Sequence, residues 1–155
     1  MKKILITGLI AVAFLSACKN ASKTMSAKTS PVFNHLAIYV ADLKTSLEFY
    51  THIIGLDTIP EPFHDGKHAW LSMGGHANLH IIQGAAEKKL YFQNNHCCLS
   101  VASVDDFIAK LESNKIEYAN ARGEKHSFTK RVDGVKQVFF QDPDGYWVEI
   151  NDDRN

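Results

Sequence analysis

Between residues 33 and 40 apolar and polar positions alternate, with Leu36, Ile38 and Val40 on one face of an extended chain and His35, Ala37 and Tyr39 on the other. The next segment supplies something for the apolar face to cover. Asp42 is placed to cap a helix running to about Ile54, with Leu43, Leu47, Tyr50 and Ile54 along one side and Gly55 as its stop. Residues 56–59, 67–73 and 77–83 then read as three strands, the last two joined around Gly74-Gly75. The order is βαβββ. Residues 95–101 begin it again: a strand, a helix capped by Ser103 with Asp106 three residues on and ending near Asn114, then strands at 115–119, 135–141 and 146–150. Asp142-Pro143-Asp144-Gly145 has the composition of a tight turn, proline fixing φ at the second position and glycine standing at the fourth.

The chain therefore contains an internal repeat, in which His35-Leu36-Ala37-Ile38-Tyr39-Val40-Ala41-Asp42-Leu43 matches His96-Cys97-Cys98-Leu99-Ser100-Val101-Ala102-Ser103-Val104. Each copy opens on a histidine and closes with a strand centred on a second coordinating side chain, His80 between Leu79 and Ile81, and Glu149 between Val148 and Ile150. Parity puts all four on the face turned away from the helices: His80 with Asn78 and Ile82, His96 with Cys98 and Ser100, Glu149 with Trp147 and Asn151. The expected fold is α+β, two tandem βαβββ modules forming a metal-binding trough. Three imidazoles and a carboxylate suit one divalent metal ion of borderline character, Zn, Ni, Co, Mn or Fe. A single histidine in a strand is more often structural than a ligand, and recurrence at equivalent positions is what singles these out. His52, His64, His68, His76 and His126 fall outside the pattern and are assigned to the surface or to loops.

A chain of 155 residues that is 45% hydrophobic builds one core, and its zero formal net charge gives no electrostatic argument for binding nucleic acid. Met1-Lys2-Lys3 followed by an apolar run over residues 4–15 has the form of a secretory signal, too short to span a bilayer comfortably. Leu15-Ser16-Ala17-Cys18 resembles a bacterial lipobox, in which the signal is removed and the cysteine carries the lipid. The expected layout is a lipoprotein signal peptide at 1–17, a flexible tether at 18–31 beginning with lipidated Cys18, and a domain at 32–152 with modules at about 32–84 and 93–152. This puts the protein in the bacterial cell envelope, outside the cytoplasm, joined to the membrane through a lipid anchor. Cys97 and Cys98 are adjacent on a strand and point to opposite faces, so they form no disulfide scaffold. Cys97 goes with the core, and Cys98 either lines the site or packs as a small buried residue. Residues 122–134 carry Arg122, Lys125, Lys130 and Arg131. Lys130 or Arg131 is placed to neutralise an anionic substrate, the alternative being a solvated basic loop. Tyr39, Trp147, Phe63 and Trp70 are candidate apolar walls for a small-molecule substrate, or simply core.

The repeated module, with Leu47-Glu48-Phe49-Tyr50-Thr51-His52-Ile53-Ile54-Gly55-Leu56 in the first copy and Phe140-Gln141-Asp142-Pro143-Asp144-Gly145-Tyr146-Trp147-Val148-Glu149-Ile150 closing the second, resembles the vicinal oxygen chelate superfamily. Its members include glyoxalase I, ring-cleaving dioxygenases and fosfomycin resistance proteins. The resemblance covers about residues 33–151, and the closing motif is most like that of glyoxalase I. It implies metal ligands at His35, His80, His96 and Glu149, and a small oxygenated substrate bound to the metal. It also implies a homodimer, with each site either within one chain or drawing ligands from two. The reaction it implies is that of a lyase or isomerase working by metal polarisation and proton transfer, with Glu149 the remaining base, since His80 stands where glyoxalase I carries a glutamate. Tyr39 and Gly84 replace the cation and asparagine that hold glutathione, so those contacts do not carry over. His35, His96 and Glu149 alone also resemble the triad of iron-dependent extradiol dioxygenases, with His80 then outside the coordination sphere. A third class is a binding module that sequesters a small molecule without chemistry, whose members generally lack these ligands.

Overall fold

Strand pairing carries the repeat into three dimensions. The computed structural model describes residues 30–153, so the signal segment, Cys18 and nearly all of the tether lie outside the described residues. In the first module β1 (His35–Val40) runs parallel to β4 (Asn78–Gln83), which pairs antiparallel with β3 (His68–Ser72), and β3 with β2 (Thr58–Ile59). In the second, β5 (His96–Ser100) runs parallel to β9 (Trp147–Asn151), which pairs with β8 (Lys136–Gln141), and β8 with β6 (Tyr118–Ala119). The strand orders β1-β4-β3-β2 and β5-β9-β8-β6 are the same order twice. One element breaks the symmetry. Thr129–Lys130 form a short strand, β7, beside β8, within the segment expected to be a loop.

The helices start where their caps dictate. Asp42 Oδ1 accepts from the Thr45 amide at 2.7 Å and opens α1 (Leu43–Glu48). The continuous α-helix expected to Ile54 needs correcting, because Phe49–Ile54 is π-helical and ends on Gly55, at φ 91°, whose amide donates to the Tyr50 carbonyl five residues back at 3.1 Å. Within this wider turn the adjacent Phe49 and Tyr50 are both buried. Ser103 Oγ accepts from the Asp106 amide at 3.1 Å and opens α2 (Val104–Ser113), whose Val104, Phe107 and Leu111 are buried at helical spacing.

Both helices cover one core. Ile38, Val40, Leu71, Leu79 and Ile81 of the first sheet and Val138, Phe140, Val148 and Ile150 of the second belong to it, and Phe140 lies 6.2 Å from the Phe49 ring and 5.8 Å from that of Phe107. The turn between β8 and β9 then locks α1 in place. Asp142 accepts from the Tyr50 hydroxyl at 2.9 Å, and Asp144 accepts from the Ser46 hydroxyl and the Ala41 amide, each at 2.8 Å. Asp142 also takes the amides of Asp144 and Tyr146 at 2.9 and 2.8 Å, which shape the turn itself.

Both carboxylates are only 5% exposed. Burial pushes the Asp142 carboxyl from 3.8 up to about 6, against the lowering effect of its hydrogen bonds to Tyr50 and to the amides of Tyr146 and Asp144. Folding therefore favours its protonated form, and this contribution to stability is full below pH 3.8 and lost as the pH rises through about 6. Asp142→Asn keeps a carbonyl oxygen for the amides and removes the titration. In urea unfolding series, the wild type is expected to lose roughly 1–3 kcal/mol relative to the variant between those two pH values. Parallel pH profiles for the two proteins would contradict this.

Candidate metal centre

The parallel pairing of β5 with β9 sets Cys98 opposite Glu149 and His96 opposite Trp147, so His96 and Glu149 are diagonal neighbours on one face. His96 Nδ1 lies 2.8 Å from the Gln93 carbonyl oxygen. A carbonyl only accepts, so Nδ1 carries a proton and Nε2 is the nitrogen turned toward the site. It lies 3.0 Å from Glu149 Oε2, the separation of an ion pair when the ring is protonated. An imidazole fixed through its other nitrogen beside a carboxylate is also donor chemistry that suits a divalent ion. Glu149 is 6% exposed, and its other oxygen accepts from Asn151 Nδ2 at 3.0 Å. Asn151 Nδ2 also lies 3.0 Å from Cys98 Sγ. Cys98 is exposed rather than a small buried residue, at the edge of this pair, and burial of its sulfur, followed by the charge of Glu149, pushes the thiol up to about 12.

The first module repeats the offset: His35 pairs with Asn78 and Ala37 with His80, so His35 and His80 stand in the same diagonal relation. His35 Nδ1 lies 2.7 Å from Asn34 Oδ1, leaving Nε2 available, and its ring centre is 5.9 Å from that of His80. His80 is buried. Trp70, directly opposite it on β3, stacks on its ring at 4.2 Å and 16°, and Phe63 lies nearly parallel at 5.8 Å. Burial, then the neighbouring His68 and His35, hold the His80 imidazole below the usual histidine range. The Trp70 indole N–H is buried without a hydrogen-bond partner among the described residues, an arrangement that costs about 1–3 kcal/mol.

Sequence reasoning missed His68. It is a half-buried residue of β3 rather than a surface or loop histidine, and its Nδ1 lies 2.9 Å from His80 Nε2. The signal was present in parity, since β3 alternates inward Ala69 and Leu71 with His68, Trp70 and Ser72. His68 escaped because the repeat has no coordinating residue at the matching place, where β8 carries Gln137.

The remaining candidates are spread more widely. Tyr39 is 52% exposed, and its hydroxyl packs so closely on Gly84 that a side chain there would collide with it. Trp147 donates its indole N–H to the Tyr91 carbonyl at 2.9 Å and, with Leu36, His96, Cys97 and Tyr146, lines a cavity of about 290 Å³. Arg131 is paired with Asp133 and lies 4.0 Å from Asp153, with Lys130 beside it on β7. The donors come together two by two. Among the described residues, no three His, Cys, Asp or Glu side chains of one chain are gathered to hold a metal ion.

A sequence profile of the Glyoxalase/Bleomycin resistance protein/Dioxygenase superfamily matches residues 32–150. The chain belongs to that superfamily. Relatives within it include the lactoylglutathione lyase of Pseudomonas putida, 27% identical over 152 residues, covering 77% of this chain and 83% of that one. The metallothiol transferase FosB of Staphylococcus epidermidis is 23% identical over 124 residues, covering 76% and 79%. Solved superfamily folds include the oxidase ChaP-H2, with a TM-score of 0.67 at 19% identity over 81% of this chain and 96% of that one. The lactoylglutathione lyase of Agrobacterium tumefaciens gives 0.59 at 20% over 80% and 95%. The mixed α+β architecture of two sheets with few helices is that of the superfamily.

Proposed function

We infer that this protein is a metal-dependent, glyoxalase-like lyase or isomerase acting on a small oxygenated metabolite. His35, His80, His96 and Glu149 hold one divalent ion, Zn, Ni, Co, Mn or Fe, in a site completed between two copies of the chain. The observation that carries this reading is the repeated diagonal pair. His35 with His80 and His96 with Glu149 occupy the same register in two modules, and His96 turns Nε2 toward a buried carboxylate. Each chain supplies two half-sites, and a second copy brings the missing half to each. The exposed Leu90, Phe92 and Val132 offer apolar surface for such an assembly.

A bound divalent ion supplies Lewis-acid polarisation of a substrate oxygen. The rest is done by side chains. Asn151 holds Oε1 of Glu149, so Oε2 keeps a fixed aim, and Glu149 would take the substrate proton and return it once Oε2 loosens from the ion. Tyr39, Cys98, Arg131 and Trp147 bound the substrate, Cys98 as a neutral thiol and Arg131 as a cation. The contact between Tyr39 and Gly84, at the two positions expected to hold glutathione, supports a substrate other than a glutathione adduct. So does placement outside the cytoplasm, which we infer from the lipobox around Cys18. Radiolabelled palmitate is expected to label the wild type but not Cys18→Ser, and equal labelling would remove the anchor.

One observation favours a second reading. His80 Nε2 is already engaged by His68, which leaves His35, His96 and Glu149 as the two-histidine, one-carboxylate triad of an iron-dependent ring-cleaving dioxygenase. Metal content by mass spectrometry of the protein purified without chelator separates the two. Zinc, nickel, cobalt or manganese that is lost in His80→Ala supports the four-ligand site, and iron retained in that variant supports the triad. A wild type that takes up no metal under any loading condition would refute both.

A further inference from the structure

The two opening histidines are supported differently. His35 Nδ1 meets the side chain of the residue before it, Asn34 Oδ1 at 2.7 Å, whereas His96 Nδ1 meets a main-chain oxygen, Gln93 O at 2.8 Å. Gln93 is tied down in turn. Its side-chain Nε2 donates to the Asn120 carbonyl at 2.9 Å, and because a carbonyl only accepts, the end of the amide that faces it is settled.

Asn120, which follows β6 and is only 6% exposed, makes a stiff anchor. Its Oδ1 accepts from the Arg122 and Glu124 amides at 2.9 and 3.0 Å, its Nδ2 donates to Glu124 Oε2 at 2.6 Å, and its carbonyl also takes the Gly123 amide at 2.9 Å. The segment that carries Gln93 is held on its other side as well. The Tyr91 carbonyl accepts the Trp147 indole N–H, the Tyr91 ring stacks on Tyr146 at 4.4 Å, and the Asn95 amide closes a turn onto the Phe92 carbonyl at 2.8 Å. None of this is inherited from the repeat. Since His35 matches His96, Gln93 matches Val32, which is 86% exposed and has no side-chain donor.

We propose that Gln93 is a positioning residue for His96. Its side chain, bound to the Asn120 carbonyl, holds its own carbonyl where it receives the His96 Nδ1–H, and so keeps Nε2 facing Glu149. A histidine ring turns in a broad well about its Cβ–Cγ bond, and half a turn would carry both nitrogens to the opposite side. Phe139 meets the ring edge-on at 5.1 Å, a contact without a donor or acceptor to tell nitrogen from carbon. The Gln93 carbonyl makes that distinction, and it does so equally when Nε2 carries a proton and when it carries an ion. The inference rests on the reading of His96 as a ligand, which needs Nε2 at the site.

Proton NMR of the full chain, labelled with 15N in histidine, stripped with chelator and held at about pH 5, where imidazoles are protonated, tests this directly. The His96 Nδ1–H is assigned by its loss in His96→Gln, and its exchange with water is measured. Gln93→Met keeps the length of the side chain without the donor, and is expected to speed that exchange at least about fivefold, the worth of one hydrogen bond. Gln93→Lys restores a donor for the Asn120 carbonyl and is expected to restore the wild-type rate. The Trp147 indole N–H, bound to Tyr91 on the same segment, keeps its rate in both variants. A His96 proton that exchanges too fast to be seen in the wild type, or no faster in Gln93→Met than in the wild type, would overturn the proposal. So would a rise shared by the Trp147 indole or left unreversed by Gln93→Lys, since either marks a general loosening of the segment. Because the protein is stripped of metal, a chain that takes up no ion fails the metal-dependent reading and leaves this result standing.

Discussion

Two buried carboxylates decide how this chain is put together. A carboxylate taken out of water must be met by donors, and nearly all the donors that meet Asp142 and Asp144 from outside their own turn belong to the other module: the Tyr50 and Ser46 hydroxyls and the Ala41 amide. A turn that could have served only to reverse the chain between β8 and β9 thus grips α1 and the end of β1. The grip is directional, which the surrounding apolar contacts are not. Phe140 packing on Phe49 and Phe107 tolerates sliding, whereas three hydrogen bonds of 2.8–2.9 Å do not. The turn also sets the start of β9, and with it the register that brings Glu149 opposite Cys98 and diagonal to His96.

The duplication preserves backbone register more faithfully than side-chain support. In both modules the inner donor stands two residues beyond the partner of the opening histidine, so the same pairing rule builds both half-sites. The supports then diverge. Glu149 is held along its own strand by Asn151, and His80 is met across the hairpin by His68 and covered by Trp70. A carboxylate needs donors to fix it, while a buried imidazole gains from aromatic faces and from a second ring, so the different neighbours follow from the different donors.

What was legible in the sequence was local. Alternation in β1, the caps Asp42 and Ser103, the stop at Gly55 and the turn at Gly145 all depend on a few adjacent residues, and each stands where its chemistry puts it. Parity also gave the facing of His35, His80, His96 and Glu149. The π-helical second half of the first helix was not legible, because its widened turn accompanies the burial of Phe49 and Tyr50 and the reach of Tyr50 to Asp142 across 92 residues. Nor was β7, whose two residues exist as a strand only by pairing with β8. His68 was hidden for the same reason. Its meeting with His80 is a product of strand pairing, and no spacing along the chain announces it.

The central claim is that each metal site joins His35 and His80 of one copy to His96 and Glu149 of another. Subunit mixing tests it most directly. His80→Ala and Glu149→Gln, each deficient alone, are unfolded together, refolded and assayed for bound metal. A site shared between copies predicts that the mixed dimers regain about one intact site, because both defects fall in the same half of the dimer. Metal content that stays at the level of the separate variants, in mixtures shown to contain mixed dimers, would contradict the account.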